Sequence, residues 1–213
     1  MPSPRADVGR ASTPERIVEA AAAEFARYGL AGARVDRIAE RAEANKQRIY
    51  AYFGGKEALF DQVVAARILD LMDAVPFEAD DLPGYAARLF DFAVGRPDFV
   101  RLVLWHSLER PGGFSTPDQS AASSTASSTA KIGALREAQS RQPELVDPVV
   151  PADRLLGQVL ATVLGSVLTV GGLLSALGEP EIDVDEVRAD VRHSVTRIIA
   201  PGPEPAPGPA PRA

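Results

Sequence analysis

Cysteine is absent from this 213-residue chain, so neither a disulfide framework nor a thiolate metal site is available to it. Only two histidines occur, His106 and His193, too few for a histidine-rich metal site. No Gly-rich phosphate loop, nucleophile elbow or metal-ligand spacing is present, and the expectation is a protein that is not an enzyme and carries no cofactor. The opening residues, MPSPRADVGR, hold no apolar run of the kind a secretory leader needs, so the expected location is the cytoplasm. Runs of alternating β-branched residues joined by hairpin turns are missing as well. Helix-period patterns fill nearly the whole length, and the fold class is all-α.

Apolar residues make up 46% and charged residues 24%, the balance of a folded globular chain long enough for one ordinary domain and a small second one. The formal charge of −6 is unevenly spread. Residues 1–60 hold ten Lys/Arg against eight Asp/Glu, whereas residues 61–213 hold thirteen against twenty-one. An acidic remainder is repelled by phosphate, which leaves only the front of the molecule to dock on a nucleic acid. Residues 1–11 and the tail PGPEPAPGPAPRA, 201–213, lack the apolar surface to pack and are expected to be disordered.

The first helix is expected from an N-cap at Thr13, with Pro14 at N1, to Tyr28, where Gly29 stops it; Ile17, Ala21, Phe25 and Tyr28 share its buried face. A short helix over Val35–Ala42 turns Val35, Ile38, Ala39 and Ala42 inward. Asn45 caps a third, Lys46–Tyr52, with Ile49 and Phe53 spaced to reach the same small core, and Lys56 opens a longer fourth helix that ends before Pro76. Further helices are expected at about 82–95, 97–110, 118–141, 152–178 and 183–199. Within the third of these, the low-complexity run Ser120–Ala130 suits a helix or a loop equally. The expected architecture is a three-helix helix-turn-helix domain at 12–60 followed by a helical bundle at 61–200, about nine helices in all.

Two short helices joined by a tight turn, the second opening Asn45-Lys46-Gln47-Arg48, form a helix-turn-helix pattern. Such a unit presents the start of its second helix to base edges, where Arg pairs bidentately with guanine and Gln with adenine. Tyr50 and Tyr52 carry hydroxyls able to reach phosphate, and Lys56 sits at a helix N-terminus, which itself attracts anions. Three such polar residues on a helix also describe an ordinary solvated face. What separates the two readings is the whole stretch Thr13–Phe60, TPERIVEAAAAEFARYGLAGARVDRIAERAEANKQRIYAYFGGKEALF, which resembles the DNA-binding domain of the TetR family of repressors. The aromatic-plus-glycine end of the first helix is Phe25-Ala26-Arg27-Tyr28-Gly29, the Ile-Ala pair is Ile38-Ala39, and the signature run is Ile49-Tyr50-Ala51-Tyr52-Phe53-Gly54-Gly55-Lys56-Glu57-Ala58-Leu59.

The resemblance implies base reading by Lys46, Gln47 and Arg48, phosphate contacts by Tyr50, Tyr52 and Lys56, and double-stranded operator DNA as partner. Two positions depart from the family. Arg34 stands where a capping Thr is usual and is free to touch phosphate instead, and Glu43 stands where the turn normally has Gly, at a cost of about 1–2 kcal/mol if the turn is left-handed.

Leu155–Gly178 carries no charge over 24 residues, enough to cross a bilayer, but its flanks lack basic clusters and Gln158, Thr162, Ser166 and Thr169 share one face, so no membrane is expected. Gly157, Ala161 and Gly165 make a face small enough for close helix pairing. The last helix has its own stripe, Val184, Val187, Val191, Val195 and Ile198. The resemblance implies that these last two long helices pair with their counterparts in a homodimer. Phe92, Phe99, Leu102, Trp105 and His106 fit either a packed core or the wall of a ligand cavity. An apolar or cationic small-molecule effector is expected within residues 76–178; the competing reading is a dimeric architectural or partner-binding module without ligand control.

Overall fold

The computed structural model describes residues 12–110, 119–173 and 183–202; the expected N-terminal arm and the tail from residue 203 lie outside them. Among the described residues the regular structure is entirely helical: α1 Thr13–Gly32, α2 Val35–Arg41, α3 Lys46–Phe53, α4 Lys56–Ala74, α5 Leu82–Val94, α6 Pro97–Glu109, α7 Gln119–Arg141, α8 Ala152–Leu168 and α9 Val184–Ile199. The run from Ser120 to Ala130 is therefore helical.

Local chemistry sets most of these ends. Ser12, one residue before the expected cap, starts α1 with a capping box: its Oγ accepts the Glu15 N–H at 3.5 Å while the Glu15 carboxylate accepts the Ser12 N–H at 2.8 Å. Gly29 does not end α1 but kinks it. At φ 67° it interrupts the helix, which then makes a further turn to Gly32 and buries Leu30. Tyr28, expected inside, is 39% exposed and lies beneath the guanidinium of Arg37, 4.4 Å from its ring centre.

Two compact units share the chain. The first contains α1–α4 together with α6. Its core is built from fully buried Ile17, Ala21, Phe25, Ile38, Ile49, Leu59, Phe60 and Val63, with Phe25 and Phe60 edge-to-face at 4.9 Å. Each of those phenyl rings contributes about 1.5–3 kcal/mol by leaving water. Leu102 and Trp105 of α6 pack into the same core, because α6 lies against α1. The contact is close: a Cβ on Gly29 would sit 2.8 Å from the Glu109 carboxylate and 3.0 Å from the Trp105 ring. Arg101 Nε donates to the Ala26 carbonyl at 2.9 Å and Glu109 accepts the Ala31 N–H at 3.1 Å, so the broken end of α1 is held by α6.

The second unit holds α5, α8, α9 and α7 from residue 127 onward. α5 packs on α8 and α9, and its Leu82, Tyr85 and Phe90 are buried with Leu135, Leu155 and Val159. Gln139, buried on α7, donates to the carbonyls of Asp147 at 2.6 Å and Val150 at 2.7 Å, which satisfies the loop before α8.

One expectation is corrected here. Val187, Val191 and Val195 are buried within the chain, where α9 packs on α5 and α8, so this stripe is internal core and not a face offered to a second copy. Val184 and Ile198 are half-buried. α8 is apolar on both sides for two reasons: Leu155, Val159, Val163 and Val167 enter the core, while Gly157, Leu160, Ala161, Gly165 and Leu168 are exposed. Ala152–Gly172 meets the length and hydropathy of a membrane span, yet its buried face is an ordinary helix–helix contact. Its hydroxyls are satisfied locally, Thr162 donating to Gln158 O and Ser166 to Thr162 O, each at 2.9 Å. The helix ends earlier than its periodicity suggests, passing at Thr169 into a π-turn in which Gly172 has φ 111°; residues 174–178 lie outside the described part.

Candidate nucleic-acid interface

α3 is eight residues long, and its two inward positions, Ile49 and Phe53, anchor it to the core one turn apart. That anchoring turns Lys46, Gln47, Arg48, Tyr50 and Tyr52 outward; all five are exposed, Tyr50 to 44% and Tyr52 to 52%. Asn45 is the cap, its Oδ1 accepting the Arg48 N–H at 2.8 Å, which orients the first turn of the helix and engages the Asn45 side chain. Lys46 is held by Asp36 of α2 at 2.9 Å, and this partner raises its pKa above the ordinary lysine range. A phosphate or base reached by Lys46 therefore competes with Asp36.

The turn between α2 and α3 has the left-handed residue that a family glycine would supply. Glu43 has φ 50°, and the turn is closed by bonds from Glu43 N–H to Glu40 O at 3.1 Å and from Ala44 N–H to Ala39 O at 2.9 Å. A side chain there costs about 1–2 kcal/mol relative to an unstrained conformation.

The start of α2, which has no side-chain cap, is anchored from another helix. Arg34, exposed, makes no side-chain cap; its N–H donates instead to the carboxylate of Glu24 on α1 at 2.9 Å, and the same oxygen accepts Arg37 Nε at 2.7 Å. Burial would raise the Glu24 carboxyl, but the Arg37 hydrogen bond, the Arg34 N–H and the charges of Arg37 and Arg41 outweigh it and hold it below the usual glutamate range. Asp36, the acid in the first turn of α2, is occupied by Lys46. Lys56, at the start of α4, is half-buried and its Nζ donates to Ala33 O at 3.4 Å, close to the Arg34 backbone.

A second buried carboxylate ties α4 to α6. Asp61, 2% exposed, accepts Arg110 Nη2 at 2.8 Å and lies 3.7 Å from His106 Nε2. Burial lowers the His106 pKa and the Arg110 charge adds to this, against the opposing pull of Asp61. His106, Leu102 and Trp105 thus brace the first unit, and Phe92 is buried in the second, so the five residues considered for a ligand cavity are divided between two cores; Phe99 is half-buried at the start of α6. Glu24 and Asp61 are functional supports that the sequence hides. Their one signal is an acid at a position where helical spacing calls for an apolar residue.

A capped reading helix, a tight turn and an exposed Gln-Arg pair define a helix-turn-helix DNA-binding regulator. Comparison with known proteins carries this to a family. Residues 17–63 match the model for bacterial regulatory proteins of the tetR family, and residues 81–197 match that for the tetracyclin repressor-like C-terminal domain. The chain is 37% identical over 188 residues to the HTH-type transcriptional repressor SCO4008 of Streptomyces coelicolor, covering 88% of this chain and 95% of that protein. It is 33% identical over 109 residues to the repressor NicS of Pseudomonas putida, covering 46% and 50%. Among solved structures, transcriptional regulator SCO4942 of Streptomyces coelicolor superposes with a TM-score of 0.72 at 36% identity, over 88% of this chain and 98% of that one. A TetR family regulator of Marinobacter aquaeolei shares the fold, with a TM-score of 0.67 at 20% identity over 89% and 96%. The chain belongs to the TetR family of DNA-binding transcriptional regulators, whose members are not enzymes.

Proposed function

We propose that this protein is a cytoplasmic repressor that binds a two-fold symmetric operator as a homodimer and is released by a small-molecule effector. The observation that carries the reading is the exposed Gln47-Arg48 pair on the Asn45-capped start of α3. Gln47 and Arg48 read base edges; Tyr50, Tyr52, Lys56 and Arg34 contact phosphate, and Lys46 exchanges Asp36 for DNA. A single eight-residue helix reads few base pairs, so specificity requires two copies, with half-sites about one helical turn, roughly 34–36 Å, apart.

The exposed stripe Gly157, Leu160, Ala161, Gly165 and Leu168 on α8 supports the dimer. A Cβ at Gly157 or Gly165 would meet nothing within 4 Å, so the stripe has room for close approach by a second helix. Effector control is supported by the path of the chain, which passes between the two units at residues 74/75, 94/95 and 126/127. An effector that rearranges the second unit pulls on the first through both α4 and α6. A 100-fold loss of operator affinity requires about 2.7 kcal/mol of coupling, and operator must weaken effector binding by the same factor.

Sedimentation of the wild type and of Gly165→Leu, each alone and with duplex recovered from a randomised pool, tests the reading. The expected result is a dimer that selects a palindrome and a Gly165→Leu chain that sediments as a monomer and binds weakly. A monomeric wild type, or selection of no sequence, would leave an architectural or partner-binding module in its place.

A further inference from the structure

Lysine is rare here, at positions 46, 56 and 131 only, against twenty arginines. The first two belong to the DNA-binding unit; Lys131 stands alone in the second, on the inward side of α7. Its Nζ donates to the hydroxyl of Tyr85 at 3.4 Å and lies 5.8 Å from the centre of the Tyr85 ring. Tyr85 is 2% exposed, and Phe77 packs edge-on against it at 4.9 Å.

No described carboxylate lies within ion-pair distance of Lys131. The acids of the neighbouring segment are committed to arginines: Glu78 and Asp81 to Arg88, and Asp80 to Arg141. Burial accordingly lowers the Lys131 pKa with no charge partner to restore it, and burial likewise pushes the Tyr85 phenol up to about 12. The phenol is therefore neutral at physiological pH and keeps its proton. That proton has no acceptor among the described residues, since the one bond of the hydroxyl is received from Lys131. Two donors, Lys131 Nζ and the Tyr85 hydroxyl, thus meet beside the Phe77–Tyr85 ring pair with no described anion between them. A half-buried ammonium without an anion costs folding free energy, so it is retained where a ligand supplies the anion.

We infer that Lys131 and Tyr85 form the recognition point for a small organic acid, its carboxylate accepting from Lys131 Nζ and the Tyr85 hydroxyl and its apolar part resting against Phe77. This deepens the effector reading above and rests on it for any consequence at the operator. It replaces the apolar or cationic ligand suggested by aromatic content alone. A carboxylate fits because it accepts two hydrogen bonds in one plane from two separate donors and neutralises the ammonium.

Titration calorimetry on the full chain without DNA tests the site, using acetate, benzoate and octanoate as acids, with benzamide, benzylammonium and inorganic phosphate as controls. At least one acid should bind, and none of the controls. Lys131→Gln should weaken that acid by more than about tenfold and Tyr85→Phe by about three- to tenfold, with Lys131→Arg retaining part of the affinity. Lys131→Met should melt no lower than the wild type, because the ammonium opposes the ligand-free fold; this separates a binding role from a structural one. Acid binding that is unchanged in Lys131→Gln, no acid binding at all, or equal binding of phosphate or benzylammonium would overturn the assignment. The same acids added to the operator complex test the separate reading: an acid that binds through Lys131 without altering operator affinity leaves the site standing and removes effector control.

Discussion

At residue 43 the ordinary order of alanine and glycine should reverse. Glu43 occupies the left-handed region at φ 50° between α2 and α3. A Cβ there costs about 1–2 kcal/mol, and replacing it with hydrogen removes that strain while the unfolded chain gains roughly 0.5–1 kcal/mol of backbone freedom. Comparing Glu43→Gly with Glu43→Ala cancels whatever the glutamate side chain itself contributes. Glycine should be more stable than alanine by about 0.5–1 kcal/mol at this position. Glu40 is the control: it is exposed on α2 in ordinary helical geometry, and there Gly should be less stable than Ala by about 1 kcal/mol. The assay is reversible urea unfolding of the four variants at one fixed protein concentration, because self-association makes apparent stability depend on it. Operator affinity of Glu43→Gly should match the wild type, as the turn keeps its shape. Equal penalties for glycine at 43 and 40 would refute the strain argument and with it the turn geometry that aims α3.

Three further outcomes follow from the packing around α1, α4 and α6. Folding stability should fall as pH drops below about 6.5: His106 has a lowered folded pKa, so the unfolded state binds the proton first, and His106→Gln should flatten that part of the stability–pH curve measured by urea unfolding. Arg110→Met removes the 2.8 Å ion pair to the buried Asp61 carboxylate and should destabilise by about 3–5 kcal/mol, while the Asp61→Asn/Arg110→Met double variant should recover part of the loss in the same assay. Gly29→Ala combines φ 67° with a Cβ position 2.8 Å from Glu109 and 3.0 Å from Trp105; it should cost more than the about 1–2 kcal/mol of strain alone, with a parallel change in Trp105 fluorescence.

Helix positions were legible where a start carries its own chemistry within a few residues, as at Asn45 before α3, Pro97 in α6 and Asp183 before α9. The cap of α1 falls one residue before the expected Thr13 because the Glu15 carboxylate reaches back to the Ser12 N–H and completes a capping box there. A glycine at positive φ can end a helix or bend it, and at Gly29 the burial of Leu30 and the bonds from α6 favour the bend. Periodicity tells that a face is buried but never against what. The stripe of Val187, Val191 and Val195 therefore fits a second copy as well as it fits the chain's own α5 and α8. The outward residues of α3 were legible through their neighbours Ile49 and Phe53, whose spacing fixes the opposite face. The supports beneath were not, since Glu24 with Arg34 and Arg37, and Asp61 with Arg110, are pairings between separate elements whose one local sign is an acid at an otherwise apolar helical position.

Discrimination between cognate and scrambled duplex by Arg48→Ala, followed across salt concentration, shows whether the start of α3 reads sequence. Loss of a bidentate base contact should weaken cognate binding by about 1–3 kcal/mol per half-site, leave scrambled duplex nearly unaffected and preserve the salt slope. Lys56→Ala, removing a phosphate contact, should weaken both duplexes alike and lower the slope by about one per contact. Equal losses on the two duplexes for Arg48→Ala would show that α3 does not read sequence through Arg48 and would move Arg48 from base reading to the backbone.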